Sequence, residues 1–494
     1  MGMARELIGE DNLVYFVIDG HAWSDTRTLI CFPSKGVKGV FFVVCGRAHR
    51  KGFKSHVVQG DMQYRSPKAR RRGLPPKFEG LEGTRVLYLP EFDLDKDMVG
   101  RWRHQWPSMY LHEFGVEYSV RGAMEPIIYR PTPEERSRGN RAPVEIDQTK
   151  GFNKTTNRGQ AYMLRELKDD IDQADIVVFG RTNNLFVKDV FDYAKEQGKV
   201  VGYEVDDLTF GENGVFRKPG KLGTKSLGDY IGEHIVGADF VTVSTPFLKE
   251  EVGKLRGSEE NVYVVKNRLD LASLHTSMPP IRSLEERVRV GWAGGKYHID
   301  KLLDMRGVFE RLAEKHADRV TFVIKGIHED NMHSDKERSK LRKLEDMFQD
   351  LGIDYELHPY TRSGDWQQYY RDLADLNIDV FFAPMKADPP HEAKSELKYL
   401  EAAYVGAPIV VPAVGGHKHA VEDGTNGRLV SPEPEDAEFA DSIDELIENP
   451  ELRAKMARAA RKDIVQNYDV RKSSEELAAI FSEQRARKRR VEES

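Results

Sequence analysis

Cysteine is almost absent from this chain. Cys31 and Cys45 are the only two among 494 residues. Both lie inside apolar runs, "LICF" and "FFVVC", and read as reduced core residues of a reducing compartment. Two thiols so placed build no metal cluster. No stretch approaches the roughly 18 consecutive apolar residues of a membrane span, so none is expected. The opening "MGMARELIGED" lacks an apolar signal core. It has Gly2, but residue 6 is Glu rather than Ser or Thr, so the myristoylation pattern fails. A soluble cytoplasmic protein is the expectation, with peripheral attachment at a membrane through a partner left open. An excess of charge of one sign is lacking too, the net value being -6. That argues against a wholesale nucleic-acid binder and leaves local patches open.

What is present is an alternation of short apolar strands and amphipathic helices. Hydrophobic residues make up 39% of the chain, enough for cores of ordinary size, and at roughly 150 residues per domain the length suggests two or three domains. "NLVYFVID" and "VKGVFFVVC" read as early strands. Residues 46–160 are dense in proline and arginine and weakly periodic, with "TRVLYLP" a surviving strand, and read as a loop-rich insert. Beyond residue 161, "ADIVVFG", "KVVGYEVDD", "ADFVTVST" and "NVYVVKN" alternate with helices, one ending at Gly198, which suits a left-handed cap. Strand–helix–strand units in series imply a parallel sheet wrapped by helices. The polar "SLHTSMPPIRSLEER" at 273–287 reads as an interdomain linker. A second series follows: "VRVGWAGG", "VTFVIKG", "DYELHPY", "DVFFAP", "GAPIVVPAVGG" and "NGRLV". The expectation is an α/β chain: an N-terminal Rossmann-like domain over 1–275 with its insert at 46–160, a C-terminal Rossmann-like domain over 285–468, and a terminal helix and basic tail over 469–494.

The stretch "HEAKSELKYLEAAYVGAPIVVPAVGG", from His391 to Gly416, carries the sharpest chemistry. It predicts a helix from about Glu392 to Tyr404, with Lys394, Lys398 and Glu401 on one face. Open parallel sheets bind ligands beyond the carboxyl ends of their strands. "DVFFAP" ends just before this helix, so the first turn points into such a crevice. Free N–H groups and the positive dipole end favour an anion there. Lys394 and Ser395 add a charge and a hydroxyl. Glu401 lies seven residues on, about 10 Å along the axis, where a carboxylate suits a pair of hydroxyls. Phosphates at the mouth and a ribose deeper make a nucleotide; solvated Lys–Glu pairs are the plain alternative. In "VGWAGGKYHID", Gly294 and Gly295 leave the first strand of the same domain with no Cβ to hold a phosphate away. The turn is neither GxGxxG nor a P-loop.

"DVFFAPMKADPPHEAKSELKYLEAAYVGAPIVVPAVGGHKHAVEDGTNGRLV" resembles the donor-binding half of retaining glycosyltransferases of family four, which have the GT-B fold. "VRVGWAGGKYHIDKL" resembles the glycine turn opening that half. "ADIVVFGR", "GKVVGYEVDDLTF", "ADFVTVSTPFL" and "NVYVVKNRLD" resemble the first domain of members that build surface polysaccharides. The similarity covers about 165–480. It implies two Rossmann-like domains whose parallel sheets face each other across a cleft, where catalysis occurs. It implies that Glu401 binds the ribose of a nucleotide-diphosphate sugar. The family's usual glutamate eight residues earlier is Ala393 here. A subset carries KSxxKxxE instead, which "KSELKYLE" fits, so Lys394 and Ser395 address the diphosphate while the donor sugar stays open. Residues 470–484 are the candidate helix crossing back to brace the first domain; a charged tail helix is the alternative.

Leaving-group charge is stabilised by preorganised donors. Lys394, Ser395, the Gly294–Gly295 turn and Lys296 are the candidates, with no metal or other cofactor required. The resemblance implies retention by a front-face substitution. Asp206 and Asp207 read as a loop-capping pair in preference to a metal pair, and line the cleft for an acceptor; Arg181 does likewise or lies on the surface. His298, after the glycine turn, and His21, in "IDGHAW", are cleft or surface histidines. From Arg65 to Lys77 there are six basic residues and no acid, with Trp102, Trp106 and Tyr110 further along. That composition suits DNA, an anionic lipid carrier, an acidic glycan, or a solvated loop. The expected function is transfer of a sugar from a nucleotide-diphosphate sugar to a glycan or lipid-linked saccharide. A modified DNA base is the second acceptor, and a non-catalytic nucleotide-sugar-binding protein the alternative of another class.

Overall fold

The computed structural model describes residues 4–8, 14–18, 25–34, 37–47, 64–65, 76–90, 101–120, 128–129, 144–145, 167–180, 187–216, 226–272, 274, 286–361 and 366–493. They fall into two compact units, 1–62 and 63–494. In the first, β1 (Ala4–Ile8) and β2 (Val14–Ile18) pair antiparallel, as do β3 (Asp25–Ser34) and β4 (Val37–Arg47). "NLVYFVID" and "VKGVFFVVC" are therefore strands of small antiparallel ribbons and take no place in a parallel sheet.

The second unit holds two lobes. The first lobe's sheet contains β5 (Tyr64–Arg65), β6 (Thr84–Leu89), β7 (Val116–Val120), β10 (Ile176–Phe179), β11 (Val200–Val205), β12 (Phe240–Val243) and β13 (Val262–Val264), in the order β13-β12-β11-β10-β6-β7-β5. All neighbours run parallel except β5, which closes the edge antiparallel to β7. The region read as a loop-rich insert thus supplies β6, next to β10 inside the sheet, and β7 beyond it. The pair β8 (Ile128–Tyr129) and β9 (Val144–Glu145) also falls there. β7 alternates buried and open residues, whereas β11 is buried along its whole length. A strand covered on both faces reads as an unbroken apolar run, and only such runs stand out in the sequence.

The second lobe's sheet contains β14 (Val288–Ala293), β15 (Val320–Lys325), β16 (Asp354–His358), β17 (Val380–Phe382), β18 (Ile409–Pro412) and β19 (Gly427–Val430), all parallel, in the order β16-β15-β14-β17-β18-β19. The chain runs outward from β14 to β16, then returns to the other side of β14 with β17. Strand order reverses between β14 and β17, which opens a crevice beyond their carboxyl ends.

Three features join the lobes. The terminal helix Val470–Glu492 lays Leu477, Ala478, Ile480 and Phe481 against the first sheet, with Phe481 edge-on to Phe240 at 6.0 Å. Leu269 and Asp469 bridge the two chain crossings. A π-helical turn at Arg101–Gln105, continued by a short helix at Trp106–Ser108, places Trp102 and Trp106 in an apolar cluster with Tyr370 and Leu373 of the second lobe. Those indoles are 5% and 1% exposed. They stand edge-on to each other at 4.5 Å, with Trp366 5.0 Å from Trp106. They are seam residues, not a platform for stacking bases. No helix among the described residues is long and apolar enough to cross a membrane.

Candidate functional site

The crevice between β14 and β17 is built by tight backbone. At the exit of β14, Gly294 N–H donates to Lys325 O at 3.0 Å. Gly326, at φ +95°, leaves so little room that a Cβ there would lie 2.0 Å from Gly294 O. A Cβ on Gly294 would strike the Trp292 ring at 2.4 Å, while Gly295 faces open space save for Tyr297 at 4.0 Å. The backbone at Gly295 is therefore approachable.

Beyond β17 the sequence predicts one helix, and the structure breaks it. Asp388 caps a four-residue turn, Pro389–Glu392, by accepting His391 N–H at 3.0 Å. The helix then stops, and a second, Leu397–Val405, begins at Glu396. The break has a hydrogen-bond cause. Ala393 O accepts the Thr245 hydroxyl at 3.3 Å, and Lys394 O accepts Gly416 N–H at 2.7 Å. These are the carbonyls a continuous helix would use four residues on. Gly415, at φ +60°, makes the fit possible: a Cβ there would sit 2.6 Å from the carbonyl oxygens of His391 and Lys394. Lys394 therefore does not share a helix face with Lys398 and Glu401, as the spacing predicts; it sits in the break.

The first lobe grips that break. Besides the Thr245 bond, Lys394 Nζ lies 2.5 Å from Asp207 Oδ1. Ser395 Oγ accepts from Asn267 Nδ2 at 2.7 Å. Glu401, 8% exposed, accepts from the Tyr369 hydroxyl at 3.0 Å and from Lys398 Nζ at 2.7 Å. Burial, with the Glu401 charge beside it, holds the Tyr369 phenol protonated well above its ordinary range.

Sequence reasoning missed two further groups. Lys301, on the helix Ile299–Leu303, places its ammonium 2.7 Å from His391 Nε2. His391 Nδ1 lies 2.6 Å from Asp388 Oδ1. The carboxylate accepts only, so Nδ1 carries the proton and Nε2 faces the ammonium with its lone pair. Burial first, then Lys394, Lys386 and Lys398 nearby, push Lys301 down to about 8. Burial, followed by Lys301, Lys398, Lys394 and His391, pushes His298 down to about 4. The neighbouring lysines thus disfavour the charge on Lys301 and His298, while Lys394, Lys398 and His391 each already pair with a carboxylate, Asp207, Glu401 and Asp388. The available signals were the positions of Lys301, one helical turn past the glycine turn, and of His391, three residues before Lys394. Neither is a motif.

The remaining candidates separate. Lys296 is 2.8 Å from Glu337 and is committed to that ion pair. Asp207 lies against Lys394. Asp206 O accepts the Ser244 hydroxyl at 3.2 Å. His21 and Arg181 lie outside the described residues, as do 66–75 of the basic segment.

Two Rossmann-like lobes with parallel sheets facing across a cleft, and a crevice at the second sheet's switch point, define a GT-B architecture. Residues 293–463, which carry that crevice, match the family model of glycosyl transferases group 1. The chain is similar to a D-inositol 3-phosphate glycosyltransferase of Saccharomonospora viridis, 32% identical over 144 residues, 29% of this chain and 31% of that one. It is similar to an alpha-D-kanosaminyltransferase of Streptomyces kanamyceticus, 34% identical over 84 residues, 17% of this chain and 22% of the relative. The chain thus spans less than a third of the length of these curated relatives. The structure of Anabaena HepE in complex with UDP-glucose shares the fold with a TM-score of 0.56 at 17% identity, covering 81% of this chain and 100% of that one.

Proposed function

We propose that this chain is a retaining glycosyltransferase that moves a sugar from a nucleotide-diphosphate sugar to a hydroxyl of a glycan or lipid-linked saccharide. The observation that carries the reading is the convergence of Lys301, Lys394, Lys398, His298 and His391 at the switch-point crevice, with buried Glu401 on the helix that follows. A diphosphate gives Lys301, which faces His391 Nε2, an anionic partner and shares Lys394 with Asp207. Lys394, Lys301, the Ser395 hydroxyl and the Gly294–Gly295 backbone bind it and stabilise the charge that grows on the leaving group as the sugar–oxygen bond breaks. That work is done by ammonium groups, so the reaction needs no metal or other cofactor. Glu401 takes the two ribose hydroxyls. His298, neutral at pH 7, hydrogen-bonds the transferred sugar. Asp207 and Asp206 face the donor from the first lobe and orient the acceptor. The nucleoside diphosphate leaves with its oxygen taking the acceptor proton on the same face, which keeps the anomeric configuration.

UDP bound to HepE makes uridine the first base to test, and the two curated relatives are named for transfer involving a polyol phosphate and an aminosugar. The DNA acceptor rested on residues 65–77 and on stacking by Trp102 and Trp106; the buried indoles remove the second support, and no observation favours the first. The experiment is a thermal-shift screen of UDP-, GDP- and ADP-sugars, followed by transfer assays with and without EDTA. One nucleotide sugar should raise the melting temperature, and turnover should persist in EDTA. Failure of every nucleotide sugar to bind refutes the reading; binding without hydrolysis or transfer leaves a nucleotide-sugar-binding protein.

A further inference from the structure

Ser395 is reached from the first lobe by a buried chain of hydrogen bonds. Arg103, on the turn that also buries Trp102 and Trp106, donates from Nε to Glu204 Oε1 at 2.5 Å. Its Nη1 donates to Val265 O at 2.7 Å and to Asn267 Oδ1 at 2.9 Å. Asn267 Nδ2 donates to Ser395 Oγ at 2.7 Å. Arg103, Glu204 and Asn267 are 4%, 3% and 3% exposed. A buried ion pair is poor evidence of stability, because desolvation offsets the attraction. A charge held there at such expense invites a functional reason, and the direction of the bonds supplies one.

Arginine has donors only, so the carboxamide of Asn267 must turn its oxygen to Arg103. Its NH₂ end must then face Ser395. A serine hydroxyl has one proton and two lone pairs. Accepting from Asn267 engages a lone pair and leaves the proton to be given to something else. Two bonds from a fixed guanidinium therefore set the polarity of a hydroxyl on the opposite lobe. We propose that Arg103 and Asn267 are positioning residues that hold Ser395 as a hydrogen-bond donor to an acceptor-only group, a phosphoryl oxygen of the bound diphosphate. This rests on the proposed reading of the crevice as a diphosphate site. It adds that the site is complete only when the first lobe is docked, since Asp207, Thr245 and Asn267 all hold residues 393–395 from that side.

The test is a double-mutant cycle on UDP affinity, with the donor and acceptor KM read beside it. Ser395→Ala should weaken UDP about tenfold, the loss of one charge-assisted hydrogen bond. Asn267→Asp keeps the bond from Arg103 but presents an acceptor to Ser395, which must then give its proton to the new carboxylate. It should weaken UDP at least about tenfold and raise the donor KM while leaving the acceptor KM unchanged, a split that general loosening would not produce. Repulsion from the added charge survives in the Ser395→Ala background, so the difference between backgrounds isolates the inverted bond. A cost of Asn267→Asp about fivefold or more smaller in that background supports the proposal. Equal costs in both backgrounds overturn it and leave the diphosphate reading intact. No effect of Ser395→Ala on UDP removes Ser395 from the diphosphate site, and the proposal falls with it. Should Asn267→Asp fail to fold, Asn267→Ala, which removes the side-chain donor without adding charge, takes its place with the same decision rule.

Discussion

Replacing Glu401 by glutamine isolates the pentose from the phosphates. The side chain keeps its volume and its buried place against Tyr369 and Lys398. One carboxylate oxygen becomes an amide donor, and the negative charge is lost. Two charge-assisted bonds to ribose hydroxyls become at best one neutral bond, a change of about 3 kcal/mol, or roughly 100-fold in affinity. With UDP at 100 times the original Kd, the stabilisation by ligand falls from about 2.7 kcal/mol to about 0.4 kcal/mol. For a chain of this size the melting shift should drop from about 3 °C to under about 0.5 °C. The control is pyrophosphate, which has no ribose. Lys398 is released from Glu401 by the substitution, so pyrophosphate should bind as well as before or better. Calorimetry with UDP and pyrophosphate on both proteins decides the matter. Unchanged UDP affinity refutes the ribose assignment. An equal loss for pyrophosphate refutes it as well, by showing that the variant has disturbed the crevice as a whole.

Lys301, pushed down to about 8, should make UDP binding pH-dependent: about nine-tenths of it is charged at pH 7 and about one-tenth at pH 9. Anion affinity should hold below pH 7 and weaken as pH rises through 8, and titration calorimetry on Lys301→Met should show that component gone. Gly415→Ala forces a left-handed residue, about 1–2 kcal/mol, and sets a Cβ 2.6 Å from two backbone carbonyl oxygens. Urea unfolding should report a loss of more than about 2 kcal/mol, with UDP affinity falling as the Lys394 segment loosens. Phe481→Ala empties a fully buried site between the terminal helix and the first sheet and should cost about 3–5 kcal/mol in the same assay.

The two sheets were unequally legible. β14, β15, β17 and β18 are short, mainly apolar runs, and β10, β11 and β12 are equally continuous. Each is covered on both faces, so nearly every residue reports the core. β6 and β7 lie in a region where proline and arginine dominate the composition, and the sheet recruits them through long-range pairing with β10 and with each other. β2 and β4 show the converse. Their apolar content marks strands without stating the partner, and the partner is an antiparallel neighbour. Trp102 and Trp106 beside arginines suggested a binding face because composition does not say which side of a turn meets the other lobe.

The residues of the candidate site divide in the same way. Local patterns marked Gly294 and Gly295 at the exit of β14 and placed Lys394, Ser395 and Glu401 after β17, because strand exits and glycine turns are local features. Folding decided that the helix breaks at Ala393, since the carbonyls involved are taken by Thr245 and Gly416, distant in the chain. It decided that Lys296 belongs to Glu337, and that Lys301 and His391 join the crevice. It also decided that Arg103 reaches Ser395 through Asn267. Hydrogen bonds across 128 and 164 residues of chain depend on two lobes being brought together. Side-chain periodicity within a segment carries no information about that approach.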